Sequence, residues 1–157
     1  MTGRTLVLGI GNTLLGDEGV GVHAMHALET LLAGATDVDF VDGGTLSFSL
    51  SRAIEDAAQL LVIDAAQLDA EPGTSAIFSG ERMDAFIGGS RKLSVHEVSL
   101  LDLMAIARLT GRLPQQRALI GVQPGTIGWS ETPTAAVAAA IPQVCREAMQ
   151  IIETWHA

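Results

Sequence analysis

The sequence predicts an α/β protein built on a mainly parallel sheet with helices on both faces. Two observations carry that expectation. Short, nearly continuous apolar runs at 4–10 (RTLVLGI), 59–64 (QLLVID) and 117–122 (RALIGV) suit strands covered on both faces. Segments of helical character alternate closely with such runs, which implies parallel strands joined by right-handed crossovers.

Each element has its own signal. After the first strand, a helix is expected over about 19–32, where Gly21, Ala24, Met25, Leu28, Leu31 and Leu32 recur at helical spacing. A second strand, 38–42 (VDFVD), stops at Gly43-Gly44, and residues 46–57 have helical character before the third strand at 59–64. The run 74–79 (TSAIFS) follows after a link too short for a helical crossover, so it reads as an antiparallel strand. Residues 80–93 are the least regular stretch, with Gly88-Gly89-Ser90 loosening it. Ser94 and Glu97 then have the spacing of a capping box that opens a helix over about 95–110. That helix is apolar almost all round, so it is expected in the core or with one strip against a partner. Thr132 and Pro133 read as N-cap and first residue of the last helix, which Pro142 should kink or interrupt.

With 157 residues the chain fits one domain, 1–157, able to bury a substantial core. Hydrophobic residues at 48% against charged residues at 17% exclude a disordered chain. The net charge of −9 argues against nucleic-acid partners, which demand a basic surface. A lone Cys145 in an apolar helical pattern forms no internal disulfide and reads as a packed, inert residue. Neither a secretory signal nor an apolar run of spanning length is visible, so the expected setting is cytoplasmic, without membrane contact.

The loop after the first strand, GNTLLGDEGVG, poses the functional question. Glycine-rich exits from a first strand commonly hold phosphate, yet this one carries Asp17 and Glu18. Leu14 stands where a dinucleotide fingerprint needs its third glycine, and no P-loop lysine is present. Two like charges about 4 Å apart repel by roughly 4 kcal/mol at an effective dielectric of about 20, so a pyrophosphate is unwelcome here.

Open α/β sheets nevertheless place their sites at the carboxyl ends of the strands. Glu18 follows the first strand, Asp42 ends the second and Asp64 ends the third. Acids gathered at one edge call for a cation, and His96 is placed to add a nitrogen. Two carboxylates and an imidazole suit zinc, nickel or another first-row divalent ion and leave coordination positions open. Bland alternatives stand beside this reading. Asp17 or Glu18 would favour a helix N-terminus, Asp64 and Asp42 would cap turns, and His96 would sit idle on a helix end.

In its motifs the chain resembles the endopeptidases that mature nickel–iron hydrogenases. The likeness rests on GIGNTLLGDEGVGV at the start, VDGGT at 41–45, LLVIDA at 60–65 and PGT at 72–74. It continues through SVHEVSLLDLM at 94–104, TGRLP at 110–114 and LIGVQP at 119–124, in the family's order. The resemblance implies a three-layer α/β/α sandwich around a five-stranded, mostly parallel mixed sheet of the phosphorylase/hydrolase-like kind. It implies that Glu18, Asp64 and His96 bind the metal, and that the enzyme is a hydrolase often grouped with aspartic-type peptidases. The implied substrate is the precursor of a hydrogenase large subunit that already holds nickel, from which a C-terminal extension is removed. Nickel then comes with the substrate, and zinc or cadmium are able to substitute for it in vitro. The oligomeric state is open in the sequence, with a monomer that docks on one large partner as the default expectation.

On that reading Glu18 and Asp64 are the candidate catalytic carboxylates, and which of them is the base stays open. Asp42 is a further catalytic candidate that orients substrate or assists proton transfer, with turn capping as the alternative. Arg91 and Lys92 are placed to meet a substrate carboxylate or simply to be solvated. Other protease chemistries do not fit. There is no G-x-S-x-G elbow, and Leu100 stands where H-E-x-x-H needs its second histidine. His23 and His26 resemble a metal pair but lie opposite the apolar stripe of their helix, as an exposed polar face would. A non-enzymatic nickel-binding assembly factor and a nucleotide-binding protein are the rival classes.

Overall fold

The computed structural model describes residues 3–44, 46–89 and 99–157. Five strands form one sheet: β1 (Thr5–Ile10), β2 (Val38–Gly44), β3 (Gln59–Ala65), β4 (Ser75–Ser79) and β5 (Gln116–Val122). Their spatial order is β2-β1-β3-β5-β4. The pairings of β1 with β2, β1 with β3 and β3 with β5 are parallel, and β4 runs antiparallel to β5, as the short link before it requires.

Position in the sheet explains the composition of each strand. Every residue of β1 and β3 is buried, because these central strands are covered on both faces. At the edges, β2 and β4 are only partly covered and carry Asp39, Asp42, Ser75 and Ser79.

Alternation along the strands divides the apolar side chains between two cores. Val7, Leu61, Ile63, Ala65, Ile120 and Val122 pack with α1 (Val20–Leu31) and α5 (Ala135–His156). Leu6, Leu8, Ile10, Leu60, Val62 and Leu119 pack against the other layer. That layer holds α2 (Ser51–Asp56), α3 (Glu81–Gly89) and α4 (Leu100–Leu109). Side chains as fully enclosed as Leu8, Leu61 and Ile63 each contribute about 1.5–3 kcal/mol by leaving water.

Several expectations need correction. The stretch read as least regular contains α3, whose Met83 and Ile87 are buried one helical turn apart. Its first turn is held by the Gly80 carbonyl, which accepts from the N–H of Met83 and Asp84. The next described helix, α4, begins at Leu100 with Ser99 as N-cap. Ser99 and Asp102 make the reciprocal capping bonds, at 3.1 and 2.9 Å. The expected capping pair Ser94 and Glu97 lies outside the described residues. Within α4, Leu100, Leu103, Met104 and Ala107 are buried, but Leu101 and Leu109 are exposed, so the helix is amphipathic rather than enclosed.

The last helix starts two residues later than expected, with Thr134 as N-cap. Pro142 does not interrupt it: the helix runs through 22 residues. Pro142 and Ala138 are both on the exposed side, where a carbonyl deprived of its helical partner is able to bond water. Cys145 is buried as expected. Its thiol lies 3.8 Å from the Ala24 carbonyl, and burial pushes its pKa up despite nearby Arg146.

Candidate active site

The loop that leaves β1 is shaped by its own polar and glycine residues. Asn12 Oδ1 accepts from the Leu14 N–H at 2.9 Å, and the Asn12 carbonyl from the Leu15 N–H at 3.1 Å, which turns the chain. Gly11 has φ +131°, and a Cβ there would lie 1.9 Å from the Glu18 carbonyl oxygen. The space above the turn is filled by the loop's own backbone, so these glycines serve close packing rather than a phosphate cradle. A tight turn at Gly16–Gly19 then leads into α1. Gly21 lies so close to the ends of β1 and β3 that a Cβ would fall 2.1 Å from the Ile63 carbonyl oxygen and 2.5 Å from that of Ile10. The start of α1 is thereby seated on the carboxyl ends of the two central strands.

The two adjacent acids divide their tasks. Asp17 is fully buried and accepts four hydrogen bonds. The N–H groups of Gly125, Thr126 and Thr134 donate at 2.7, 3.0 and 2.6 Å, and the Thr134 hydroxyl at 2.8 Å. Burial alone would push the carboxyl up, but these donors together hold it below its ordinary value of 3.8. Asp17 therefore clamps the first loop to the segment joining β5 and α5, at the electropositive start of α5. Bonds from Gly16 N–H to the Ser130 carbonyl, Ser130 N–H to the Leu14 carbonyl and Asp17 N–H to the Thr126 carbonyl complete the junction. Glu18, the next residue, is only partly buried. The expectation that either acid would serve a nearby helix start missed this long-range role of Asp17, for which no local pattern exists.

Asp64 sits one residue before the end of β3 and is 5% exposed. Leu60 and Val62 belong to the core under α2, α3 and α4, and alternation puts Asp64 on that same face. Asp42 lies on the other face. Val38 and Phe40 pack toward α1, and Asp42 Oδ2 is 3.7 Å from His26 Nε2 of that helix. Asp42 is half exposed, and its Oδ1 accepts from the Gly44 N–H at 2.8 Å, which stabilises its own turn. Asp42 is thus paired with Gly9 two strands from β3, on the opposite side from Asp64.

His96, Arg91 and Lys92 lie outside the described residues. Among the described residues, no three His, Cys, Asp or Glu side chains gather closely enough to hold a metal ion. Two carboxylates at the strand ends and an imidazole from residue 96 are a donor set that fits a divalent first-row ion. His26 is exposed and faces Glu29 and Asp42, as a polar surface would. His23 departs from that expectation, being half-buried with its Nε2 enclosed and, among the described residues, without a hydrogen-bond partner.

Sequence reading also missed a partly buried ion pair between β5 and α3. Arg117 donates to both oxygens of Asp84, at 2.9 and 2.5 Å, and to the Pro114 carbonyl at 3.0 Å. These bonds tie α3 to the sheet and hold the Asp84 carboxyl below its ordinary range.

Comparison with known proteins decides the family. The hydrogenase maturation protease model (HycI) matches residues 22–151. The chain belongs to the hydrogenase maturation protease family. It is 33% identical over 153 residues to the hydrogenase expression/formation protein HupD of Rhizobium leguminosarum bv. viciae, covering 97% of this chain and 75% of that one. Identity to the hydrogenase 2 maturation protease of Escherichia coli K12 is 35% over 146 residues, covering 90% and 88% of the two chains. The solved hydrogenase maturating endopeptidase HybD from E. coli superposes with a TM-score of 0.86 at 31% identity, over 96% of this chain and 93% of that one. This hydrogenase maturation protease is accordingly a peptidase, and its five-stranded mixed sheet between helices is the endopeptidase fold. No helix among its described residues is long and apolar enough to cross a membrane.

Proposed function

We propose that this protease removes a C-terminal extension from the precursor of a hydrogenase large subunit, and that it recognises the nickel the precursor already carries. The observation that carries the reading is the seating of two carboxylates at the carboxyl ends of the central strands. Asp64 is nearly enclosed at the end of β3. The loop of Glu18 is locked beside it by Asp17, with Gly21 packed against the carbonyls of Ile10 and Ile63. Glu18, Asp64 and His96 are the proposed ligands of the substrate's nickel, two hard oxygens and one nitrogen around an ion that keeps positions open.

One of the two carboxylates takes a proton from a water molecule as its oxygen attacks the scissile carbonyl carbon. The tetrahedral intermediate collapses when the peptide nitrogen receives a proton and the extension leaves as a free amine. A cation beside the carbonyl lowers the cost of the negative charge that develops on oxygen. In this reading the enzyme acts as a monomer in the cytoplasm, and zinc or cadmium occupies the same donors when nickel is absent. Asp42, on the opposite face of the sheet, is assigned the turn at the end of β2 before any part in proton transfer.

The test is to incubate the protein with nickel-loaded and nickel-free precursor and to follow the length of the product. A shorter large subunit from the loaded form only is the expected result. Equal cleavage of both forms removes nickel from the recognition step. Binding of the loaded form with no shorter product would make the protein an assembly factor.

A further inference from the structure

We infer that Leu14, Ile127 and Trp129 form an apolar docking rim that receives an apolar segment of the protein substrate beside the cleavage site. The three side chains are exposed to 51%, 56% and 85%. They come from segments more than a hundred residues apart that the backbone hydrogen bonds of Leu14, Gly16 and Asp17 hold side by side. Leu15 and Ser130 pair as a parallel bridge, which sets Leu14 directly beside Trp129. A Cβ on Gly16 would contact the carbonyls of Thr126 and Gly128 at 3.1 and 3.3 Å, so Ile127 flanks the same loop.

Three features identify the occupant as the substrate. First, Leu14 stands on the same short loop as Glu18, so the rim begins within a few residues of the proposed catalytic carboxylate. Second, the rim is preformed. Asp17 and the hydrogen bonds around Ser130 fix both segments, so little ordering entropy is lost when a partner binds. Third, the chain carries a net charge of −9, but residues 12–16 and 123–130 contain no charged residue. A neutral, rigid surface with an exposed tryptophan has the composition of a protein-binding hot spot. The rim thus contributes affinity and alignment, while the carboxylates supply the chemistry.

This inference rests on the proposed processing of a large-subunit precursor, and the experiment separates the two. Trp129→Gln and Leu14→Gln are assayed with nickel-loaded precursor for KM and kcat, with thermal melting as the folding control. Because both side chains are exposed, the melting temperature should not move. KM should rise about tenfold or more with kcat nearly unchanged. The second readout is binding. In a Trp155→Phe background Trp129 is the sole tryptophan, and precursor should shift its emission to the blue and shield it from acrylamide. Wild-type cleavage with unchanged KM in both variants overturns the rim and leaves the proposed function standing. Shielding of Trp129 without any cleavage by the wild type upholds the rim and removes the peptidase step. Concentration-dependent self-association that Trp129→Gln abolishes would assign the rim to a second copy of this chain, and so would overturn the inference.

Discussion

Asp17 and Thr134 are joined by two hydrogen bonds across 117 residues of chain, from the backbone N–H at 2.6 Å and the hydroxyl at 2.8 Å. The same carboxylate serves Gly125 and Thr126, so one buried side chain organises the loop after β1, the loop after β5 and the start of α5. Asp17→Ala leaves three backbone donors without their acceptor, and a buried unsatisfied group costs about 1–3 kcal/mol. The variant should lose about 3 kcal/mol or more, read as a lower urea midpoint. Asp17→Asn should lose a comparable amount, because its amide turns a donor toward donors. A midpoint within experimental error of the wild type would show that the clamp is dispensable.

The acid limb of stability follows from Asp17 and Asp84, whose folded-state pKa values both lie below the ordinary 3.8. For Asp17 the cause is its set of N–H and O–H donors, acting against burial. For Asp84 it is first the hydrogen bonds from Arg117. A depressed folded value means that the unfolded chain takes up protons first as pH falls. The stabilisation is therefore complete above about pH 4 and fades as pH drops through the folded values. Urea midpoints measured at successively lower pH should fall below that point, and Asp84→Asn should flatten part of the slope. A flat profile in the wild type would contradict both assignments.

Glu18→Gln and Asp64→Asn should each lower precursor processing by about a hundredfold or more, the scale of a lost acid–base or charge-stabilising group. Circular dichroism should remain that of the wild type. Asp42→Asn should change processing by less than about tenfold, since its carboxylate lies on the α1 face beside His26 and bonds its own turn. Measuring kcat/KM for the three variants on one precursor orders them. A loss at Asp42 as large as that at Asp64 would place it in the chemistry.

Two glycines should respond to alanine with opposite signs. Gly21→Ala inserts a methyl 2.1 Å from a backbone carbonyl oxygen. Such overpacking costs about 1–3 kcal/mol and outweighs the roughly 1 kcal/mol gained in helix propensity. Among the described residues, nothing outside its own helix lies within 4 Å of a Cβ added to Gly88, in α3. Gly88→Ala should stabilise the protein by up to about 1 kcal/mol. Thermal melts of the pair decide the matter, and a stabilised Gly21→Ala protein would mean that α1 is free to retreat from the strands.

Legibility in the sequence tracked how local the cause was. β1 and β3 announce themselves because central strands bury both faces and read as unbroken apolar runs. The direction of β4 followed from the length of one connection. By contrast α3 is short and rich in charge, and its Met83–Ile87 spacing was masked by the glycines beside it. The hydrogen bonds of Asp17 join it to residues 125–134, and Arg117 meets Asp84 through a strand–helix contact. Neither relationship leaves a trace in nearby residues. That Asp42 and Asp64 stand near the ends of their strands was visible in the sequence. That Asp42 and Asp64 lie on opposite faces depends on register and pleat, which only the assembled sheet supplies.

The Asp17 clamp has a consequence for synthesis on the ribosome. The donors that fix the Glu18 loop belong to residues 125–134, after the last strand and at the threshold of the final helix. A nascent chain that has emerged only through β4 already contains Glu18 and Asp64, but none of the donors that bond Asp17. The loop of Glu18, the carboxylate proposed for catalysis, therefore gains its clamp among the last steps of the protein's own birth, and a stalled or shortened product lacks it.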